Sequence, residues 1–401
     1  MSLNPNIRRL QWFSFLLDLR LYGPFAILYY AEVAGSFTLA MSVFATTQVV
    51  SAFSEIPTGL ASDRHGRKVT LVVGAVFSFV AILSYAIADG IYLLLVGALL
   101  EGISRSLFSG NNAAFLHDTL ADDGHTEQYH HHFGRMGSML QFGLAVGALF
   151  GGIVGLWSLT LIFWLTLVPQ AMAIIVSFTL REPKNRQPSQ QQSLGLLRNA
   201  FAHLVKTPRL IWLALAQSVS FGFGEANFQF VAAFFKTLWP LWAIGALRTA
   251  AHGLAAVGFW LSGPIIDRFS HYKVLIFSSA FGQVANIVGI AMANLFSPIL
   301  MTSPSFVYGV NQTAKNHLLQ KDFTDEQRAT LGSIVAFAGS IVFFFASIGI
   351  GAIADYFSAQ TALLASYVIQ IWVIPIYIWL FRQEPKPLYN QTQLAPMLSH
   401  T

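Results

Sequence analysis

The chain reads as twelve apolar runs, each near the length a helix needs to cross a bilayer, joined by short polar segments. A spanning helix takes about 20 residues, and it must bond every backbone N–H and C=O within itself while it crosses hydrocarbon. The runs lie near 10–33, 38–60, 69–88, 90–117, 133–154, 156–180, 209–235, 242–266, 274–295, 298–316, 329–355 and 359–381. The fourth and eleventh exceed what the membrane needs and are expected to project into the cytoplasm and periplasm respectively. Composition points the same way. Of 401 residues 55% are hydrophobic and only 10% are charged, against about 25% charged in a soluble domain, whose surface must face water. The expected fold class is an all-α membrane protein, with twelve transmembrane helices in two six-helix pseudo-symmetric bundles.

Charge placement orients these runs. The net charge of +5 could suggest nucleic acid, but the 23 lysines and arginines are spread over short loops rather than massed on one segment. With both termini in the cytoplasm, all of them fall on that side except Lys236 in an outer loop and Arg20, Arg105 and Arg248 inside spans. So strong a bias would vanish if one span near the start were added or dropped. Arg8 and Arg9 precede an apolar run with no small-residue cleavage site, so that run is read as the first span and not as a signal peptide. The chain has no cysteine, which excludes disulfides and thiolate metal sites. The expected location is the cytoplasmic (inner) membrane, multi-pass.

The longest internal loop divides the chain almost in half. We expect a bundle over 1–180, a cytoplasmic linker over 181–208, a second bundle over 209–386 and a polar cytoplasmic tail over 387–401. The linker opens with the polar, Pro-containing run EPKNRQPSQQQ. Ser193 could cap a helix with Leu194, Leu197, Phe201, Leu204 and Val205 on one face and Arg198 and Lys206 toward headgroups, an interfacial arrangement. The two halves resemble each other. The run GLASDR at 59–64 returns as GPIIDR at 263–268, and Glu-Pro-Lys at 182–184 returns at 384–386. Two matches at nearly one offset argue for an ancient duplication, and parallel repeats of six helices around a midplane cavity are a transporter architecture.

The run from Gly59 through Asp63, Arg64, Gly66 and Arg67 to Lys68 resembles motif A of the major facilitator superfamily, G-x-x-x-D-R-x-G-R-K, in the loop between the second and third spans. The resemblance covers essentially the whole chain and implies the major facilitator fold. The glycines allow a tight reversal, Asp63 can meet a helix N-terminus of the neighbouring half, and the basic residues hold the loop at the cytoplasmic face. In the family this cluster latches a gate and helps hold the outward-open state. A partial copy carries Asp267 and Arg268, but Ser270, His271 and Tyr272 replace its Gly-Arg part, so the latch is expected to be asymmetric.

The fifth span contains Gly143, Gly147, Gly151 and Gly152, similar to motif C of the antiporter branch, with Ala148 in place of its proline. Small residues at this spacing let helices approach closely, which suits an interface between rocking halves. The run from Ser109 to Asp118, including Asn111 and Asn112, resembles the fourth span of drug-exporter-like members, as Glu55–Gly59 resembles the end of their second. Relatives often carry acids at the two Asn positions, and Ala98 stands where motif B has a basic residue. The common proton-relay arrangement of the superfamily is therefore altered.

An ionisable residue inside a span costs a few kcal/mol and marks a pathway or a buried pair. Asp18 and Arg20 fall near the midplane of the first span; two apart, they point to different faces and each requires another partner or cavity water. Glu101 and Arg105 are four apart and can pair. Glu225 follows Gly222 and Gly224 in the run FGFGEAN, which reads as a helix loosened at a binding site, with Asn227 and Gln229 close behind. Arg248 and His252 share a face of the eighth span, and Arg248 can reach Glu225. Gln283, Asn286, Asn311 and Gln312 are milder polar candidates, while Pro304 and Gly309 would let the tenth span bend. Asp122, Asp123, His125, Glu127 and His130–His132 form a solvated, pH-sensitive loop or a metal sensor; consecutive histidines do not share a helix face.

These readings converge on a secondary active transporter, not an enzyme, that exports a small organic solute by alternating access with proton coupling. Asp18 and Glu225 are the candidates for coupling or substrate contact, with Arg20, Glu101, Arg105, Arg248, Asn111, Asn112, Asn227 and Asn311 around the path. No G-x-x-x-x-G-K-[ST] is present, so coupling must use gradients. The implied partners are a small-molecule substrate, protons or another coupling ion, and the lipid bilayer. No nucleic acid, cofactor or metal is implied, and the chain is expected to act as a monomer. The alternative is an importer of an anionic nutrient or metal chelate of the siderophore type. A membrane-embedded enzyme would need H-E-x-x-H or G-x-S-x-G, and the sequence contains neither.

Overall fold

The computed structural model describes residues 4–184, 201–202, 204–320 and 325–383. Within them every regular element is helical. The first bundle comprises α1 (Pro5–Asp18), α2 (Ala26–Ala34), α3 (Phe37–His65), α4 (Arg67–Ala86), α5 (Ile91–Phe108), α6 (Asn111–Asp122), α7 (Tyr129–Val154) and α8 (Leu159–Thr179). The second comprises α9 (Pro208–Phe235), α10 (Leu241–Trp260), α11 (Ser262–Phe269), α12 (His271–Met292), α13 (Ser297–Thr302), α14 (Ser305–Gln320), α15 (Asp325–Tyr356), α16 (Ala359–Gln370) and α17 (Val373–Arg382).

Among the described residues eight helical stretches are long and apolar enough to cross a membrane, counting α5–α6 and α16–α17 as one each, and the pair α10–α11, bent by 55°, makes a ninth. The stretches α1–α2 and α13–α14 fall outside that count because each is interrupted, and α9 because polar side chains lower its hydropathy. Twelve spans are consistent with this pattern. Serine starts several helices in the expected way, its hydroxyl accepting a backbone N–H that has no partner inside the helix. Ser36 does so from Leu39, Ser158 from Leu161 and Ser358 from Thr361.

Several spans differ in detail from the sequence reading. The first is broken, with residues 19–22 outside any helix. The tenth is interrupted at Ser303–Pro304, where proline cannot donate to the preceding turn. The FGFGEAN run, by contrast, is not loosened: α9 stays helical throughout. There Gly222 serves close packing, since a Cβ would lie 2.6 Å from the backbone N of Phe343. The extra length of the eleventh span sits at its start, because its last turn meets the beginning of α3 through Asp355. Of the interfacial helix expected in the linker, only 201–202 and 204–206 lie among the described residues, and these are helical.

The bundles meet along α3 with α15 and α7 with α10. One core cluster joins both halves at the end where α3 begins, uniting Tyr30, Phe163, Phe230 and Phe343 among others. At the opposite end, where the basic Gly59–Lys68 loop lies, each half keeps a separate core, around Leu71 and Phe115 in the first and Leu275 and Tyr377 in the second. The halves are thus sealed together at the far end and individually packed at the basic end.

Candidate functional site

The break in the first span sets up the most highly charged part of the interior. Since α1 ends at Asp18, the two-apart face argument for Asp18 and Arg20 does not apply. The Arg20 guanidinium turns across to α5 and donates to the Glu101 carboxylate at 2.6 Å. Arg105, one turn along α5, donates to the same oxygen at 2.9 Å. Tyr85 donates to the other Glu101 oxygen at 2.8 Å. A carboxylate in hydrocarbon is tolerable only when paired and bonded in this way. The Tyr85 contact was not anticipated; a tyrosine inside an apolar run was its only signal. Gln170 of α8 caps the broken end, donating to the carbonyls of Leu16 and Leu17 at 3.4 and 2.9 Å and accepting from Ser78 at 2.9 Å.

Asp18 lies in the field of Arg20 and Arg105 without bonding to either. Its carboxylate is half-buried and, among the described residues, takes part in no hydrogen bond or ion pair.

Three of the four motif glycines of α7 give the broken span its room. A Cβ at Gly143 would lie 2.7 Å from the Phe15 carbonyl oxygen, and one at Gly147 would lie 2.8 Å from that of Arg20. Gly151 faces Leu21 in the same manner. Only Gly152 faces the other half, against Leu241 and Gly245 of α10, so most of this stripe packs within its own bundle. Nearby, Thr249 donates to the Ala145 carbonyl at 2.9 Å and His252 meets Gln141 at 3.0 Å, both across the halves.

In the second half Glu225 is half-buried and accepts from Gln229 at 2.7 Å. Arg248 does not form an ion pair with it. The buried Arg248 donates to the Phe228 carbonyl at 2.7 Å and lies over the Phe228 ring at 4.1 Å. A carbonyl dipole and an aromatic face thus stand in for a carboxylate. Phe221, one turn before Glu225, lines a cavity of about 60 Å³ between the halves with Gln48, Ser51, Glu55, Phe337 and Ser340. Gln48 donates to Ser340 there at 3.0 Å.

At the basic end the motif residues form a compact cluster. Gly66 adopts φ +107°, a conformation that favours glycine. Arg67 is buried and pairs with Asp63 at 2.9 Å and with Asp118 at 3.5 Å. Asn111 belongs here and not at mid-span, accepting from Ser62 at 2.7 Å and donating to the Arg67 carbonyl at 3.0 Å. Glu182, which sequence reading did not single out for a role, accepts the backbone N–H groups of Arg67 and Lys68, each at 2.7 Å, and so caps α4. Arg64 is exposed and Lys68 half-buried. In the second half Asp267 and Arg268 are exposed, and Ser270 repeats the Gly66 turn with φ 67° and ψ 154°. The backbone of the duplicated loop has therefore persisted without its glycine.

Asn311 donates to Ser278, and Asn112 has a buried carbonyl oxygen without a partner. In the histidine loop His125 approaches Glu127 at 3.4 Å. Among the described residues no group of three His, Asp or Glu side chains could hold a metal ion.

Residues 11–347 match the sequence profile of the Major Facilitator Superfamily. The chain belongs to that family. It is therefore a multi-pass membrane transporter of the secondary type and not an enzyme, acting on a small molecule. It is 27% identical over 167 residues to the class B tetracycline resistance protein of Escherichia coli, an alignment spanning 41% of this chain and 39% of that protein. Multidrug resistance protein 1 of Bacillus subtilis (strain 168) is 24% identical over 313 residues, 77% of this chain and 76% of that one. Among solved structures, a mutant form of the nucleoside transporter NupG superposes with a TM-score of 0.79 at 15% identity, covering 94% of this chain and 99% of that one. An inward-facing, unoccupied bacterial homolog of the lysosomal transporter Spinster gives 0.74 at 14% identity, covering 95% and 98%. At such identities these structures speak for the fold alone.

Proposed function

We propose that this superfamily member exports a small organic solute across the cytoplasmic membrane in exchange for protons, with both termini in the cytoplasm. One observation carries the coupling. Among the described residues Asp18, beside the break in the first span, and Glu225, on α9, are half-buried carboxylates that form no ion pair, although Arg20 and Arg105 lie in the field of the first and Arg248 in that of the second. A carboxylate in such a place can bind and lose a proton as its surroundings change, whereas Glu101, clamped by two arginines, is a structural anion. Export is supported by the glycine stripe of α7 and by likeness to drug-resistance proteins.

With that orientation the basic end faces the cytoplasm. The structure then represents a state sealed outside by α3 and α15, with Phe37 against Phe230 at 5.3 Å. Solute enters between the halves from the cytoplasm, and rocking of one bundle against the other exposes it outside. The cluster of Asp63, Arg67, Asp118 and Glu182 lies on the open cytoplasmic side, which must close when the halves rock.

The test is flux in proteoliposomes under an imposed pH gradient, with a panel that includes tetracycline and ethidium. Export predicts that an inward proton gradient drives at least one compound out. Accumulation of substrate in right-side-out vesicles would overturn the direction.

A further inference from the structure

We infer that the second half contains a site for an uncharged, hydrogen-bonding part of the solute, built from Asn227, Ser347, Ser366 and Gln370. These side chains come from α9, α15 and α16, three helices that pack against one another. All four are at least nine-tenths buried: Asn227 is 1% exposed, Ser347 0%, Ser366 2% and Gln370 6%. Yet among the described residues both amide atoms of Asn227, both serine hydroxyls and the Gln370 nitrogen have no hydrogen-bond partner. Buried polar groups are almost always bonded, and where the surroundings are hydrocarbon no bulk water can repair the loss.

The register places them at one depth. Gly222 of α9 meets Phe343 of α15, and as alternate spans these helices run in the same direction. One turn further on lie Asn227 and Ser347. Ser220 lies near Tyr377 of α17, which runs the opposite way. Two turns along α9 from Ser220, and two turns back from Tyr377, bring Asn227 and Gln370 level. Ser366 is one turn from Gln370, the last residue of α16. Among the described residues of the first half, Ser78 bonds to Gln170 and Tyr85 to Glu101, and the atoms left unbonded there are one each on Gln11, Asn112 and His132.

The chemistry of the set selects the ligand class. It offers amide N–H donors, an amide carbonyl and two hydroxyls, with no charged member. A hydroxyl- or amide-bearing group that both donates and accepts fits these partners, whereas an ion would find no counter-charge among the four side chains. The inference rests on the reading of the chain as a solute transporter, but not on proton coupling or direction.

The experiment measures thermal unfolding of the purified full-length protein with uridine and N-acetylglucosamine as uncharged probes, and with tetraphenylphosphonium and benzoate as ionic ones. The wild type is expected to gain several degrees with at least one uncharged probe. Asn227→Leu and Gln370→Leu should unfold no earlier than wild type in the absence of probe, since they remove unbonded polar atoms, and should lose that gain. Ser347→Ala and Ser366→Ala, which barely change volume, should weaken the probe at least threefold and serve if the leucine variants fail to fold. A gain retained in all four variants would overturn the assignment. So would a wild type shifted only by the ionic probes, or by none, which would mean a site for water alone. No gradient is used, so a failure here is separate from a failure of proton-driven flux.

Discussion

Arg20 reaches from the break in the first span to the Glu101 carboxylate on α5, 2.6 Å away, and Arg105 shares the same oxygen at 2.9 Å. One anion therefore holds two cations in a region that water reaches poorly. Replacing Glu101 by Gln leaves both guanidinium groups facing each other. Loss of one member of a buried ion pair costs about 3–5 kcal/mol. We expect Glu101→Gln to lower the unfolding temperature markedly, and Arg20→Met in the same background to restore part of the loss. Thermal unfolding in detergent measures both, and an unchanged Glu101→Gln would remove the structural role.

The α7 glycines give a sharp comparison on one helix. A Cβ at Gly147 would meet the Arg20 carbonyl at 2.8 Å, while one at Gly137 meets nothing within 4 Å. Gly147→Ala should cost about 1–3 kcal/mol through overpacking. Gly137→Ala should be neutral or slightly stabilising, because alanine favours the helix. Equal unfolding temperatures for the two variants would contradict the packing account.

Glu182 caps α4 through the Arg67 and Lys68 amides, each at 2.7 Å. Glu182→Ala should cost about 1 kcal/mol, as for the loss of a helix cap. It should also speed amide hydrogen exchange at Arg67 and Lys68 more than elsewhere in α4. Unchanged exchange at those two amides would show that the cap is dispensable.

The far-end seal is tested at Asp355. Its carboxylate accepts the amides of Phe37 and Thr38 at 2.7 and 2.8 Å and the Thr38 hydroxyl at 2.6 Å, joining the last turn of α15 to the first turn of α3. Because the chain has no cysteine, a single Phe230→Cys is a clean reporter of that seal. Adding Asp355→Ala should raise its rate of maleimide labelling several-fold from the far side. A rate that does not rise would show that Asp355 does not hold this end closed.

Most of the architecture is legible in the sequence, because span length and charge bias are properties of local segments. The repeated GLASDR and GPIIDR runs even locate a shared turn, which Gly66 and Ser270 both adopt. What is not legible depends on partners far apart in the chain. Nothing near Glu101 in sequence announces Arg20, although Pro24, which cannot donate to the Arg20 carbonyl, does mark the break at 19–22 that brings them together. Arg248 and Glu225 are close enough for a pair to be expected, but the Phe228 carbonyl and ring take the arginine instead. Asn111 lies in a span-like run but serves the basic-end loop, because α5 ends at Phe108 and α6 starts afresh beyond Gly110. Two glycines before Glu225 suggested loosened backbone, whereas Gly222 is there for close contact with α15.

The central claim, proton-coupled transport through Asp18 and Glu225, is tested most directly by luminal pH in proteoliposomes loaded with pyranine. Adding a transported solute to the outside should move luminal pH in wild-type vesicles, in the direction set by exchange of solute for protons. Asp18→Asn combined with Glu225→Gln should abolish that pH change while leaving solute counterflow measurable. A pH change that survives in the double variant, or solute flux in the wild type with no proton movement, would contradict the account.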